Sequence, residues 1–302
     1  MNKSFFLNYD LVRLTACVLV VLHHIYGSVN EHYPILYSIT STCVPLFILL
    51  SGSLLLNKKY SLLVFYKKRI LKILLPAFFW VTFYSLFRLA TDYFNSGNLE
   101  YLLILKNSIG MGGWPYYHLW YLYLIFLLYI ISPFLQKIHF LFGKKYILIT
   151  QIILCTLFQF LALKLENSWL QNLTYYCLGG IVSRVMLSVD TSFQKIMYFI
   201  IIIITLLSFL FEIEEVAVLA LSVLIFISIL ILPAIKWMPY SVLLSLTFGV
   251  YLIHPLLIKI VSYLPKIGLI FDSNFLKFLI VFISSTIIAY LFKKNDILKR
   301  LI

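Results

Sequence analysis

Apolar stretches about twenty residues long recur from one end of this 302-residue chain to the other, and each is long enough to cross the hydrocarbon core of a bilayer as a helix. No other feature limits the fold as strongly. Apolar residues make up 63% of the chain and charged residues 12%, against about 45–50% apolar in soluble domains. A soluble chain of this length has too little interior to hide that surface, whereas a bilayer solvates it. The expected fold is therefore an all-α integral membrane protein, a bundle of about ten transmembrane helices with both termini cytoplasmic. The runs place helices at about 9–29, 36–56, 70–90, 118–136, 146–165, 172–188, 195–212, 216–235, 241–264 and 274–292. The sixth is the most diluted, by Gly179, Gly180 and Arg184. Together they occupy the chain as one membrane-embedded domain, residues 1–302.

The charge distribution orients the bundle. With the N-terminus cytoplasmic, every Lys and Arg outside the first helix falls on the cytoplasmic side except Arg88, Lys106, Lys164, Lys259, Lys266 and Lys277. The acids Glu31, Asp92, Glu100, Glu166, Glu212, Glu214, Glu215 and Asp272 fall outside. This is the positive-inside pattern, and it accounts for most of the net charge of +13. No basic stretch interleaved with aromatics lies on a soluble surface, so the charge does not point to nucleic acid. Cys17, Cys43, Cys155 and Cys177 all lie within apolar runs without the C-x-x-C spacing of redox or zinc sites, and read as small apolar fillers. The apolar N-terminal run carries Arg13, His23 and His24 and lacks a small-residue cleavage site, so it reads as an uncleaved helix. The loop 57–69 mixes Lys with Tyr60, Leu62, Phe65 and Tyr66, as an interfacial amphipathic segment would. The apolar middle of the long outer connection, Leu99–Leu105, is placed in the interface as well.

Polar residues inside a membrane are costly, and four groups of them stand out. The first helix carries Arg13 and His24. Eleven helical steps amount to about three turns plus 20° and roughly 16 Å of rise, so both lie on one stripe at two depths. Asp10 is one turn ahead of Arg13 and positioned to pair with it. Taken singly, Arg13 reads equally as a snorkelling residue and His24 as a hydrogen-bond partner of a neighbouring helix. Metal binding by His23 and His24 is disfavoured, because adjacent helical residues point about 100° apart. The second group is Tyr251-Leu-Ile-His254-Pro255 in the ninth helix, where the proline frees a backbone carbonyl. The third, His118-Leu-Trp120-Tyr121, opens the fourth helix and alone reads as an aromatic belt. The fourth is Ser51-Gly52 in the second helix, whose small residues permit close packing.

In combination these groups resemble the acyltransferase-3 family of membrane acyltransferases. Arg13, ten residues and His24 match the family's signature, with Asp10 as its acidic residue. Phe47-Ile-Leu-Leu-Ser51-Gly52 is similar to its apolar-Ser-Gly stretch, and Lys67-Lys68-Arg69-Ile-Leu-Lys72 to its basic entry into the third helix. His118-Leu-Trp120-Tyr121 and Tyr251-Leu-Ile-His254-Pro255 also look like family patterns, and the similarity runs over about residues 8–292. The resemblance implies about ten core helices and, for a chain ending here, no SGNH-type extension. It implies transfer of an acetyl or other acyl group from acyl-CoA to a sugar of a surface polysaccharide or another acceptor.

Under that resemblance, His24 is the expected base and Arg13 a structural or donor-binding residue, with Arg69, Lys68 and Lys72 as further donor-phosphate contacts. His254, Tyr251, His118, Trp120, Tyr121 and Ser51 are expected to line the acceptor pocket, with Trp114 available to stack on a sugar. Acetyl-CoA is expected as co-substrate, with no resident cofactor and no metal. A nucleophilic Cys17 two turns below His24 is conceivable, but direct attack by the acceptor hydroxyl makes it unnecessary. The expected setting is a bacterial cytoplasmic membrane, crossed many times, with a homo-oligomer or envelope polysaccharide machinery as possible partners. Two competing classes are a transporter or flippase for lipid-linked saccharides and a non-enzymatic assembly factor. Against the transporter, no paired halves with matching broken helices are evident.

Overall fold

The structure, a computed structural model, describes residues 3–27, 34–58, 61–96, 116–141, 155, 159, 161, 164–165, 168–188, 191–232, 242–243, 245–264, 268 and 273–302. Every regular element among them is helical: α1 (Lys3–Tyr26), α2 (Pro34–Ser41), α3 (Cys43–Leu56), α4 (Leu62–Ser96), α5 (Trp120–Leu141), α6 (Ser168–Ser188), α7 (Thr191–Leu210), α8 (Glu214–Ile231), α9 (Thr247–Val261) and α10 (Asn274–Lys294), then a 3-10 turn at Leu298–Arg300. Six stretches among these residues are long and apolar enough to cross a membrane: Asn8–Tyr26, Ile35–Leu56, Leu62–Thr91, Trp120–Ile138, Glu214–Ile231 and Asn274–Lys294. Gln194–Leu210 and Thr247–Val261 are shorter apolar helices.

Two expectations change in detail. The segment at 57–69 is not a separate interfacial piece, because its residues from Leu62 onward are the first turns of α4. No Gly or Pro interrupts the chain from Leu62 to Leu75, so the helix continues through the basic residues. At 35 residues it is about 52 Å long, beyond the roughly 30 Å hydrocarbon core. The expected second helix is broken at Thr42 into α2 and α3. Pro45 has no N–H to give the carbonyl four residues back, which weakens the ladder at that point. Most of the expected helix at 146–165 and the segment Leu99–Leu105 lie outside the described residues.

The chain divides into two compact units. The first comprises Met1–Lys59 and Ser132–Tyr290. Within it α1 packs against α2, α3, α8 and α9, so Val12 and Ala16 on one face and Val21 on the opposite one are all sealed at 0% exposure. A helix surrounded in this way must be apolar all round, which throws its few polar residues into relief. Polar contacts fix how neighbours run. Asn8 at the start of α1 donates Nδ2–H to the carbonyls of Leu230 (3.0 Å) and Leu232 (2.9 Å) at the end of α8, so these two helices are antiparallel. Ser132 and Tyr176 share a 2.6 Å hydrogen bond, and eight residues further along each helix the Arg184 guanidinium lies 5.1 Å over the Phe140 ring. The helices α5 and α6 therefore run parallel.

The tightest contact is between α3 and α6, where Gly52 backs onto the Tyr176 carbonyl and Gly179 onto that of Leu49. Asn57, at the end of α3, locks the pair by donating Nδ2–H to Gly180 O (3.0 Å) and Ser183 Oγ (2.7 Å). Asn57→Ala should lower stability by about 1–2 kcal/mol, the upper range for side-chain bonds between membrane helices. A thermal unfolding comparison in detergent, with no shift for the variant, would contradict that role.

The second unit comprises Tyr60–Ile131 and Leu291–Ile302. Trp80 on α4 donates its indole N–H to Leu301 O (2.9 Å) and stacks 6.4 Å from Phe292, tying the C-terminal turn to α4. Tyr66 donates to Ile130 O (2.8 Å), joining α4 to the first half of α5.

Candidate active site

α1 is continuous from Lys3 to Tyr26, so the stripe geometry holds and places Arg13 and His24 about 16 Å apart along its axis. Near its lower end Arg13 Nη1 donates to Asp10 Oδ1 at 3.1 Å, and both side chains are half-buried. Near the upper end the ring of His24 stacks on that of His254 from α9, with centroids 5.4 Å apart and planes 20° from parallel. Two helical turns lower, Cys17 donates its S–H to the Thr247 carbonyl at 3.5 Å. Cys17 to His24 and Thr247 to His254 are both seven residues. Thus α1 and α9 run parallel in matched register, and that register brings the two imidazoles together.

Two features of the His-Pro dipeptide shape this part of α9. Pro255 has no N–H, so the Tyr251 carbonyl loses its helical donor. The Nδ1 atom of His254 is 3.1 Å from the Val250 carbonyl. A carbonyl oxygen can only accept, so Nδ1 carries the hydrogen, and the neutral ring keeps its lone pair on Nε2. His254 is fully buried at 0% exposure, and Tyr251 at 6% lies 6.1 Å from it, ring to ring. Two imidazole rings from two helices, one of them fixed in tautomer, thus meet at the upper end of α1.

The acyltransferase-3 family model, described as an acyltransferase domain, matches residues 6–294. The chain belongs to this family. No curated protein and no solved structure matches the chain. The protein is thus a multi-pass membrane acyltransferase, working on an acyl donor and an acceptor within a lipid bilayer.

The remaining candidate residues of the acyltransferase fall in several places. Ser51 on α3 donates its hydroxyl to the Phe47 carbonyl one turn back, at 2.9 Å. Its neighbour Gly52 belongs to the α3–α6 contact. His118, Trp120, Tyr121, Arg69 and Lys72 belong to the second unit. There His118 is 2% exposed and meets the Tyr84 ring edge-on at 5.0 Å and 81°. Trp120 and Tyr121 stand perpendicular at 6.4 Å. Arg69 and Lys72 are one turn apart on α4, with Lys72 exposed. The side chain of Lys68 and all of Trp114 lie outside the described residues.

Sequence reasoning did not find the neighbours of His23. Its Nδ1 is 3.2 Å from Thr40 Oγ1, and its ring lies 5.5 Å from Tyr37 and 5.6 Å from His24. Thr40 and Tyr37 are unremarkable in a mixed apolar run, and only the packing of α2 on α1 gives them meaning.

Proposed function

We propose that this protein transfers an acetyl group from acetyl-CoA to a hydroxyl of a cell-surface or lipid-linked saccharide, with His24 as the base. The acceptor hydroxyl attacks the thioester carbonyl, a C–O bond forms and the C–S bond breaks. The hydroxyl proton passes to His24 and then to the departing thiolate, so no covalent enzyme intermediate is needed. The single observation that carries this reading is the stacked His24–His254 pair, because imidazoles exchange protons near neutral pH. Arg13, steadied by Asp10, supports a donor-side role, since a guanidinium makes bidentate contacts to phosphate. In this reading Arg69, Lys68 and Lys72 add donor-phosphate contacts, and His118, Trp120, Tyr121, Tyr251 and Ser51 serve the acceptor side.

The proposed topology is ten spans with both termini cytoplasmic, in a bacterial cytoplasmic membrane. The parallel course of α5 and α6 supports a return crossing between them. So do the helical residues Cys155, Gln159, Leu161 and Lys164, of which Cys155 packs against Ile181 and Val185 of α6. The matched parallel register of α1 and α9 supports the same count, since the first and ninth spans of an alternating bundle point the same way.

The purified protein, given acetyl-CoA labelled in the acetyl group, is expected to release CoA thiol and pass the label to saccharide. Mass spectrometry of surface glycans is expected to show acetyl esters that disappear when the protein is removed. Unchanged glycans together with no turnover of the labelled donor would sink the proposal and leave a transport role in its place.

A further inference from the structure

Beyond the His24–His254 pair, the upper end of α1 carries a second hydrogen-bonded device, built by α2. Thr40 is 2% exposed, and its hydroxyl has a single hydrogen to give. That hydrogen goes to the Tyr37 carbonyl at 3.1 Å. The same oxygen lies 3.2 Å from His23 Nδ1 and can then only accept from it. With the hydroxyl hydrogen on the Tyr37 carbonyl, His23 takes the Nδ1–H tautomer and its neutral ring keeps the lone pair on Nε2. The end of α2 is itself pinned, because Thr42 donates Oγ1–H to the Ile39 carbonyl at 2.6 Å.

The rings continue the device. Tyr37, His23, His24 and His254 form an unbroken row with centroid separations of 5.5, 5.6 and 5.4 Å. His23 meets His24 edge to face at 69°, whereas His254 meets it nearly parallel. The flanking rings each bond an oxygen, the Val250 carbonyl for His254 and Thr40 Oγ1 for His23. In the proposed reaction it is the middle ring, His24, that gains and loses the proton. A base works only while its nitrogen stays within hydrogen-bonding reach of the hydroxyl it deprotonates, and a misplacement of about 1 Å is enough to slow a reaction severely.

We propose that His23 and Thr40 are positioning residues for the transfer reaction: α2 holds His23 in one tautomer and orientation, and His23 braces the ring of His24. This rests on the reading of His24 as the base. The role is distinct from donor binding, so it acts on turnover and leaves donor affinity alone.

The test uses the full chain in lipid nanodiscs with acetyl-CoA as donor, measuring thiol release. Thr40→Val keeps the shape and removes the acceptor, and is expected to lower kcat about 10- to 100-fold with KM for acetyl-CoA unchanged. Thr40→Ser restores the acceptor and is expected to restore kcat. Nitrogen-15 spectra of the histidine rings should show a protonated Nδ1 at His23 in the native protein and in Thr40→Ser, altered in Thr40→Val. Thr40→Ala serves in the same measurements if the valine variant does not assemble. Native kcat in Thr40→Val, equal impairment of the valine and serine variants, or a His23 spectrum indifferent to Thr40 would each overturn the proposal. Failure of the base assignment has a different signature, full turnover in His24→Ala, and the ring spectra read the lock without reference to turnover.

Discussion

Replacing His24 with alanine is expected to lower turnover by about 10²- to 10⁴-fold, the range that a positioned general base contributes. The expectation follows from the surroundings of the ring. His24 sits at the upper end of a helix packed on several sides, stacked on His254 and edged by His23. Among the described residues, the rings against His24 are those of His23 and His254. Deletion should leave the acceptor hydroxyl without a partner at the moment of attack. Under the proposed assignment the KM for acyl-CoA should stay close to native, because Arg13, the donor-side residue of the same helix, lies about 16 Å from His24 along α1. The measurement is kcat and KM from thiol release, with the variant's assembly checked by its elution and melting in detergent. A turnover within a factor of ten of native would remove His24 from the chemistry. A matched rise in KM with native kcat would place it in donor binding instead.

Much of this fold was legible in the chain, because a bilayer asks for a simple thing, a long apolar run. The runs found α1, α3, α5 and α6 to α10 to within a few residues at most of their ends. Hydropathy misjudged one boundary and undervalued one helix it did find, both for physical reasons. At the start of α4, lysines and an arginine continue the helix beyond the apolar stretch, since charge limits burial but does not break a helix. In α6, Gly179 and Gly180 dilute the apolar average, yet Gly179 is where α3 comes closest. A hydropathy average counts a glycine as a weak residue, whereas packing uses the missing side chain.

The site was legible in parts and not as a whole. Arg13 and Asp10 are three residues apart on one helix, so their ion pair could be read directly. His24 and His254 each stood out as polar groups in apolar runs, but their contact depends on the parallel register of α1 and α9, which no local pattern encodes. Thr40 is further from reach. A lone threonine carries no signal until the break at Thr42 and the fold of α2 against α1 bring it to His23.

Gly52→Ala is expected to cause a large loss of stability for a single added methyl group. A Cβ built there would lie 1.8 Å from the Tyr176 carbonyl oxygen and 2.8 Å from its carbon. The obstacle is backbone, which cannot rotate away as a side chain can, so α3 and α6 must separate. The reciprocal position behaves alike, since a Cβ on Gly179 would lie 1.9 Å from the Leu49 carbonyl oxygen. Overpacking of this kind costs about 1–3 kcal/mol or more. Between membrane helices close packing is itself the main attraction, because lipid tails supply no hydrophobic force. Separation would also strain the bonds from Asn57 to Gly180 and Ser183 and the contact from Ser132 to Tyr176. The expected result is a variant that melts well below native in detergent and loses activity through misassembly. Gly27→Ala is the control, because a Cβ there meets nothing within 4 Å. If both variants melt at the native temperature, the α3–α6 contact is looser than the structure has it, and the glycines are not what holds these helices together.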